Sequence, residues 1–423
     1  LIMKTKAVRL YGKNDIRLEE FELPPIKDNE ILARVVSDSI CMSSYKAVIQ
    51  GSDHKRVPKD VDRNPIIIGH EFCGEIVAVG SKWRSSFNAG DKFTLQPALN
   101  MKHNPFIAPG YSYPYIGGDA TYIIIPDEVM EMNCLLRYNG DAYFHGSLSE
   151  PVSCIVGGFH ANYHTEKGSY THKMDIAEGG NMAILAGAGP MGLGMIDCAI
   201  HREVKPSLLV VTDIDDSRLE RASSIYTVEE AERNGIRLKY LNTGKSGDAF
   251  ADLIRLAGGK GYDDVFVLAP VKEVVELGDR ILGADGCLNF FAGPSNTAFS
   301  ATVNFYNVHY NFTHAVGTSG GNTDDMIESL RMMEERKIDP ASMITHIGGL
   351  DCVVDTTLNL PKIPGGKKLV YTNIKMALTA ISDFREKGKA DPMYAKLAEI
   401  VENNNGLWCV QAEKFLLENA EAI

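Results

Sequence analysis

Hydrophobic positions along the chain follow two regimes. Up to about residue 160 they come in short runs separated by turn residues. Lys6–Leu10, Ile16–Phe21, Glu30–Ser39, Ile67–Val79 and Lys92–Gln96 read as strands. Gly12-Lys13-Asn14-Asp15, Pro24-Pro25, Lys27-Asp28-Asn29 and Asn88-Ala89-Gly90-Asp91 punctuate them, and Gly69 and Gly74 interrupt the fourth run. Many short strands with glycine turns predict a barrel-like all-β domain. Ser52–Asn64 is a charged connector, and Ala98–Gly118, rich in Pro, Gly, Asn and Tyr, is an irregular lobe. A helix of small residues, Pro151–His164, is expected to lead out of this domain.

Further along, strand and helix patterns alternate. Met182–Leu185 and Leu208–Val211 are apolar throughout, as strands buried on both faces are. The pattern predicts helices at Met191–His201 and Arg218–Ser223, and strands at Asp264–Leu268, Cys287–Phe291 and up to Val316-Gly317. Asp324–Lys337 reads as a helix with Met326, Ile327, Leu330 and Met333 on one stripe. Such alternation gives a parallel sheet, so the chain is α/β and two-domain. Ile374–Ala420 has a helical pattern, amphipathic at Ile374, Ala377, Leu378, Ile381 and Phe384.

The junction of the first two apolar runs carries chemistry. Gly187, Gly189 and Gly192 form G-x-G-x-x-G between strand and helix, with Pro190 and Met191 opening the helix. The first glycine permits a tight turn, the second a close approach of backbone to pyrophosphate, the third close packing of helix on strand. The helix N-terminus presents free N–H groups to the phosphates. Asp213 ends the second strand, twenty-one residues after Gly192. An acid there accepts hydrogen bonds from the adenosine ribose and repels a 2′-phosphate, which predicts a Rossmann domain binding NAD(H) in preference to NADP(H).

Composition narrows the remaining classes. The chain has 423 residues, 44% hydrophobic and 23% charged, enough for two ordinary domains. A net charge of −12 with no compensating basic face argues against nucleic acid or an anionic membrane as partner. No apolar run approaches the roughly twenty residues that span a bilayer. Leu1-Ile2-Met3-Lys4 has no signal-peptide pattern, and the eight cysteines lack paired spacing. A reducing cytoplasm is the expected compartment.

Cys41, His70-Glu71 and Glu150 are candidate metal ligands of the types zinc takes, placed at predicted strand edges. Singly, each also fits a bland role: a buried small cysteine or a solvated glutamate. In combination they carry more. Cys41-x-Ser43, Gly69-His70-Glu71-x-x-Gly74 running to Gly80, Gly90-Asp91, Glu150-Pro151, the glycine fingerprint and Asp213 with Arg218-Leu219 follow one another over most of residues 4–372. In these motifs the chain resembles the zinc-containing medium-chain dehydrogenase/reductase family, the alcohol and polyol dehydrogenases. The resemblance implies a GroES-like β-rich catalytic domain at 1–160 and the Rossmann domain at 161–337. Residues 338–423 would return to the catalytic domain up to about Thr372 and end in a helical C-terminal extension. It implies one catalytic zinc per chain on Cys41 and His70, with Glu71 and Glu150 competing for, or alternating in, the remaining protein position. Ser43 would hand the substrate proton on, with Lys46 or a cofactor ribose hydroxyl next. Gly187, Gly189, Pro190, Met191, Gly192, Asp213 and Arg218 would bind the cofactor. A homodimer or homotetramer is expected.

Four departures from the family pattern matter. Where many members have Cys-Gly-Ser-Asp-x-His, this chain has Cys41-Met42-Ser43-Ser44-Tyr45-Lys46. The aspartate that orients the zinc histidine is missing, so another acceptor is needed. The relay histidine is replaced by Lys46. No cysteine lies between Cys73 and Cys134, so the four-cysteine structural zinc of many relatives is not expected; packing of Phe106, Tyr111, Tyr113 and Tyr115 should hold that lobe instead. The chain is also longer, mostly through Ser224–Gly247 and the tail after Lys375. These features are most similar to the sorbose-1-phosphate reductase branch of the family, which implies interconversion of a ketose phosphate and a polyol phosphate, as in reduction of L-sorbose 1-phosphate to glucitol 6-phosphate. An unphosphorylated polyol, alcohol or threonine substrate is the alternative. A phosphate needs Lys, Arg or clustered N–H donors. Lys46, His54, Lys55 and Arg56 lie between two metal ligands in sequence; a plain solvated loop at Asp53–Arg56 is the competing reading.

Overall fold

A computed structural model describes residues 3–423; Leu1 and Ile2 lie outside the described residues. The chain forms two compact units, one of residues 1–151, 322–334 and 340–423, the other of residues 152–321 and 335–339.

The first unit is built on an eight-stranded sheet. Its central strand, Ile31–Ile40, pairs antiparallel with Phe72–Val79, Tyr122–Ile125 and Lys367–Tyr371. Burial alternates along its first half and every residue of its second half is buried, because other elements cover both faces there. Ala33, Val35, Ile76, Phe93, Ile123 and Ile125 form the core beneath it. The returning chain thus enters the sheet directly, Val370 opposite Asp38. A smaller sheet joins Asp15–Leu23, Met3–Gly12 and Ile66–Ile67.

The second unit is a six-stranded parallel sheet. Its order is Arg237–Asn242, Leu208–Asp213, Asn181–Leu185, Tyr262–Val267, Leu282–Phe290 and His314–Val316. The two apolar runs pair in register, Ile184 opposite Val211, with the helix Pro190–His201 between them in sequence.

Four sequence expectations need correction. The division near residue 160 falls instead at 151/152, inside a helix that runs Tyr143–Ala161, so Pro151 lies within the helix rather than at its start. Buried hydrogen bonds of Gly146 with Thr94 and of Ser147 with Ser37 sustain the turns before the proline. The helix Thr323–Glu334 belongs to the first unit, not to the Rossmann unit. Leu330 packs with Cys73 and Tyr138, and Ser329 Oγ donates to Ser149 O at 3.2 Å; Ile327 is 49% exposed and lies off the stripe. In the tail, residues 374–380 are not a helix despite their spacing. Thr379–Ala380 pairs with Ile344–Gly349, and Gly349 N donates to Met376 O, so a sheet edge claims the backbone groups a helix would need. Helices follow at Phe384–Lys387, Pro392–Glu402 and Val410–Asn419, burying Leu397, Val401, Trp408 and Leu416 against Phe144, Leu369 and Tyr371. Finally, Phe106 is 47% exposed and does not help hold the lobe, whereas Tyr111 is buried. Among the described residues no helix is long and apolar enough to cross a membrane.

Candidate metal and cofactor sites

Cys41 stands where the strand Ile31–Ile40 gives way to the helix Met42–Gln50, and its carbonyl accepts from Ser44 N at 3.0 Å. His70 and Glu71 precede the strand Phe72–Val79. Gly69 before them has φ +94°, and a Cβ there would lie 2.7 Å from Asp119 N and from Asp38 Oδ2, so only glycine permits this turn. Donor atoms of Cys41, His70 and Glu71 all lie within 4.8 Å of one another, the single such group of three among the described residues.

The surroundings of this cluster fit a cation. Glu71 is 1% exposed; its Oε1 meets Lys367 Nζ at 2.5 Å, while its Oε2 has no hydrogen-bond partner among the described residues. A buried carboxylate oxygen left bare is costly, and a metal would satisfy it. Poor solvation holds the Cys41 thiol above its usual range, with Lys367 opposing; a bound metal would draw the thiolate form. Glu150 lies outside the group of three, yet is buried beside it. Burial pushes its carboxyl up to about 7 against the pull of His70, with Glu71 and Cys41 adding to the rise.

Ser44 supplies the acceptor that the missing aspartate leaves wanting: its Oγ lies 3.3 Å from His70 Nδ1. An acceptor at Nδ1 directs the other nitrogen, Nε2, toward metal. Behind the histidine, Asp38 Oδ1 accepts from Glu71 N at 3.1 Å. Burial raises Asp38 well above the carboxylate range, with Asp119 adding to the rise, and raises its neighbour Asp119 to about 7.

Ser43 Oγ lies 3.6 Å from Cys41 Sγ, and Lys46 is one turn further along the same helix, half-buried. Two residues here escape sequence reasoning. Lys367 had one signal: two lysines in the buried strand Lys367–Tyr371 must be paired to be tolerable. Tyr111 had none, being one tyrosine in an irregular lobe. Its hydroxyl lies 3.5 Å from His70 Nε2 and faces Ser43, and its ring stacks on His70 at 4.9 Å and on His54 at 5.7 Å. The Arg56 guanidinium sits 5.7 Å from the same ring and donates to Phe106 O at 2.9 Å. Lys55 is exposed over Phe106, and Asp53 pairs with Lys13 at 2.5 Å.

In the second unit the three fingerprint glycines differ in the way a dinucleotide cradle requires. A Cβ on Gly192 would fall 1.8 Å from Gly187 O, and one on Gly187 would fall 2.5 Å from Ile184 Cγ2, whereas Gly189 has nothing within 4 Å. Packing therefore forbids side chains at Gly187 and Gly192, and Gly189 leaves open room for a ligand. Gly189 is the N-cap of Pro190–His201 and no side chain caps that end, so its N–H groups stay available to phosphate. Met191 follows in the first turn. Asp213 is buried; its Oδ2 accepts from Ala188 N at 3.2 Å and its Oδ1 from Ile214 N at 2.8 Å, fixing the carboxylate against the glycine loop. Arg218 is exposed, its backbone N–H capped by Asp215. Ile214, 75% exposed beside Asp213, offers an apolar face that sequence reasoning passed over.

Residues 27–133 match the alcohol dehydrogenase GroES-like domain. The chain is 50% identical over 420 residues to the L-sorbose 1-phosphate reductase of Klebsiella pneumoniae, covering 99% of this chain and 98% of the relative. It is 50% identical over 415 residues to the mannitol-1-phosphate 5-dehydrogenase of Aliivibrio fischeri, covering 98% of each. Among solved structures, the 2R,3R-butanediol dehydrogenase of Bacillus subtilis superimposes with a TM-score of 0.69 at 20% identity, over 87% of this chain and 100% of that one.

Proposed function

The chain belongs to the zinc-containing medium-chain dehydrogenase/reductase family, and from that premise we propose that it is a zinc-dependent, NAD(H)-linked oxidoreductase interconverting a ketose phosphate and a polyol phosphate. The observation that carries the metal reading is the bare, buried Glu71 Oε2 beside Cys41 and His70. When bound, zinc polarises the substrate oxygen and the nicotinamide exchanges a hydride with the substrate carbon. Cys41, His70 and Glu71 hold the ion; Glu150 stands as the alternative to Glu71, which Lys367 already neutralises. Ser44 orients His70. Ser43 moves the proton at the substrate oxygen, and the adjoining Tyr111 hydroxyl extends that relay. Lys46 is a further station one helical turn away. Gly189 and the N–H groups after it receive the pyrophosphate, Asp213 the ribose hydroxyls, and Ile214 one face of the adenine.

Both 50% relatives are named for a substrate phosphorylated at carbon 1, which supports a phosphorylated substrate here. Of the bases near the cluster, Arg56 fits the phosphate best, since Tyr111 links it to His70. A charge-assisted contact contributes about 1.5–3 kcal/mol, equivalent to roughly ten- to a hundredfold in kcat/KM. Thiols at all eight cysteines fit a reducing compartment such as the cytoplasm. The aromatic surface near the edge strand His314–Val316 fits a homo-oligomer.

The decisive experiment offers polyols, ketoses and their 1- and 6-phosphates with NADH and NADPH, alongside a metal count. One zinc per chain, preference for NADH and turnover of a sugar phosphate are expected. Arg56→Met should lose about ten- to a hundredfold on the phosphorylated substrate and little on its dephosphorylated counterpart. Better turnover of an unphosphorylated polyol or of threonine than of any phosphate would sink the substrate assignment and leave the dehydrogenase standing.

A further inference from the structure

The C-terminal extension has no place in the chemistry just described, yet it sends one buried carboxylate back to the elements that build the metal site. Glu413, on the helix Val410–Asn419, is 1% exposed. It accepts from Tyr143 N at 2.6 Å and from Phe144 N at 3.0 Å, the first two N–H groups of the helix Tyr143–Ala161. Those groups have no partner within their own helix, and a negative charge at that end is favourable. The same carboxylate accepts from Tyr371 OH at 2.6 Å, and Tyr371 OH accepts in turn from Trp408 Nε1 at 2.8 Å. Two turns along the capped helix stands Glu150. Tyr371 ends the strand that begins with Lys367, the ion-pair partner of Glu71.

We infer that Glu413 is a positioning residue for the metal cluster, one carboxylate that fixes the helix presenting Glu150 against the strand presenting Lys367. The extension is then a clamp on the catalytic unit rather than a separate module. Glu413 touches none of the reacting groups and acts through the two elements it joins. Without it, the helix start and the strand end lose their common anchor, and the separation of Glu150, Glu71 and Lys367 is no longer held. The inference rests on the metal reading proposed above.

Titration of metal-stripped protein with Co2+ against a chelator, reading the visible bands of the bound ion, tests it. Glu413→Gln should bind Co2+ about tenfold more weakly, at the lower end of losses from groups that orient ligands, with altered visible bands. Glu413→Asp, which retains the charge, should restore part of the affinity. Leu397→Ala is the control: it opens a cavity in the extension and lowers Tm, but should leave the Co2+ spectrum unchanged. Unchanged affinity and bands in Glu413→Gln would overturn the clamp alone, as would an equal change in Leu397→Ala. Failure of the unaltered protein to bind Co2+ would overturn the metal reading, and the clamp with it.

Discussion

Tyr111 illustrates how much of this site is decided by single side chains. The ring stacks on two histidines while the hydroxyl approaches His70 Nε2 and faces Ser43, so packing and chemistry can be separated by one substitution. Tyr111→Phe keeps the stacking and removes the relay station. Its kcat should fall about a hundredfold, at the low end of the range for a positioned proton-transfer group, with zinc content and KM for NADH unchanged. Steady-state kinetics with a metal assay check this; an unaltered kcat would assign the hydroxyl to packing. Ser44 makes a related point. Sequence comparison exposes a missing aspartate, but only the 3.3 Å approach of Ser44 Oγ to His70 Nδ1 says which atom replaces it.

At the scale of elements, the hairpin of Tyr163–Thr165 and His172–Met174 is secured by charge. His164 presents Nε2 to Asp264 Oδ1 at 2.9 Å and Nδ1 to Asp285 O at 3.1 Å. Both are acceptors, and only the protonated ring carries two N–H donors. Burial opposes the charge, but the bond to Asp264 and the two carboxylates outweigh it, and the pKa is raised. A histidine with a raised folded pKa stabilises fully below its unfolded pKa of about 6.5, and that stability is lost as pH rises through the folded value. The Tm advantage of the unaltered protein over His164→Gln should therefore be largest near pH 6 and shrink toward about pH 9. An advantage that stays constant across that range would mean that the ring is held neutral. The helix elements show the converse of this legibility. Pro190 and the glycines announce the start of Pro190–His201 in the sequence, whereas Tyr143–Ala161 begins where a distant carboxylate caps it.

For the molecule as a whole, one surface remains to be accounted for. His314–Val316 is an edge strand with a single neighbour, and Phe305, Tyr306, Tyr310 and Phe312 beside it are between 62% and 75% exposed. An open edge with adjoining aromatics invites pairing with a second copy. Rings that bury roughly 150–250 Å² each supply much of the roughly 800 Å² per partner found in stable interfaces. Sedimentation should therefore give a dimer or tetramer, and Phe305→Glu with Tyr310→Glu should shift it to smaller species. A monomer at micromolar concentration in the unaltered protein would remove this surface from consideration.

By itself the sequence determined the features whose physics is local. A strand, three spaced glycines, a helix and a terminal acid are contiguous, so the nucleotide-binding half is legible from spacing alone. Cys41 and His70-Glu71 are likewise marked by the strand ends they occupy and by the motifs around them. The tertiary structure decided whatever depends on a distant partner. Lys367 reaches Glu71 across 296 residues, Tyr111 reaches His70 from an irregular lobe, and Glu413 caps a helix 270 residues away. The helical spacing at 374–380 gave way to a sheet edge, and the helix Thr323–Glu334 joined the first unit. The reason is the same in each case. Periodicity reports what a segment can bury, but a buried charge or an open backbone group takes whichever partner the fold brings within reach, and no local pattern records that partner.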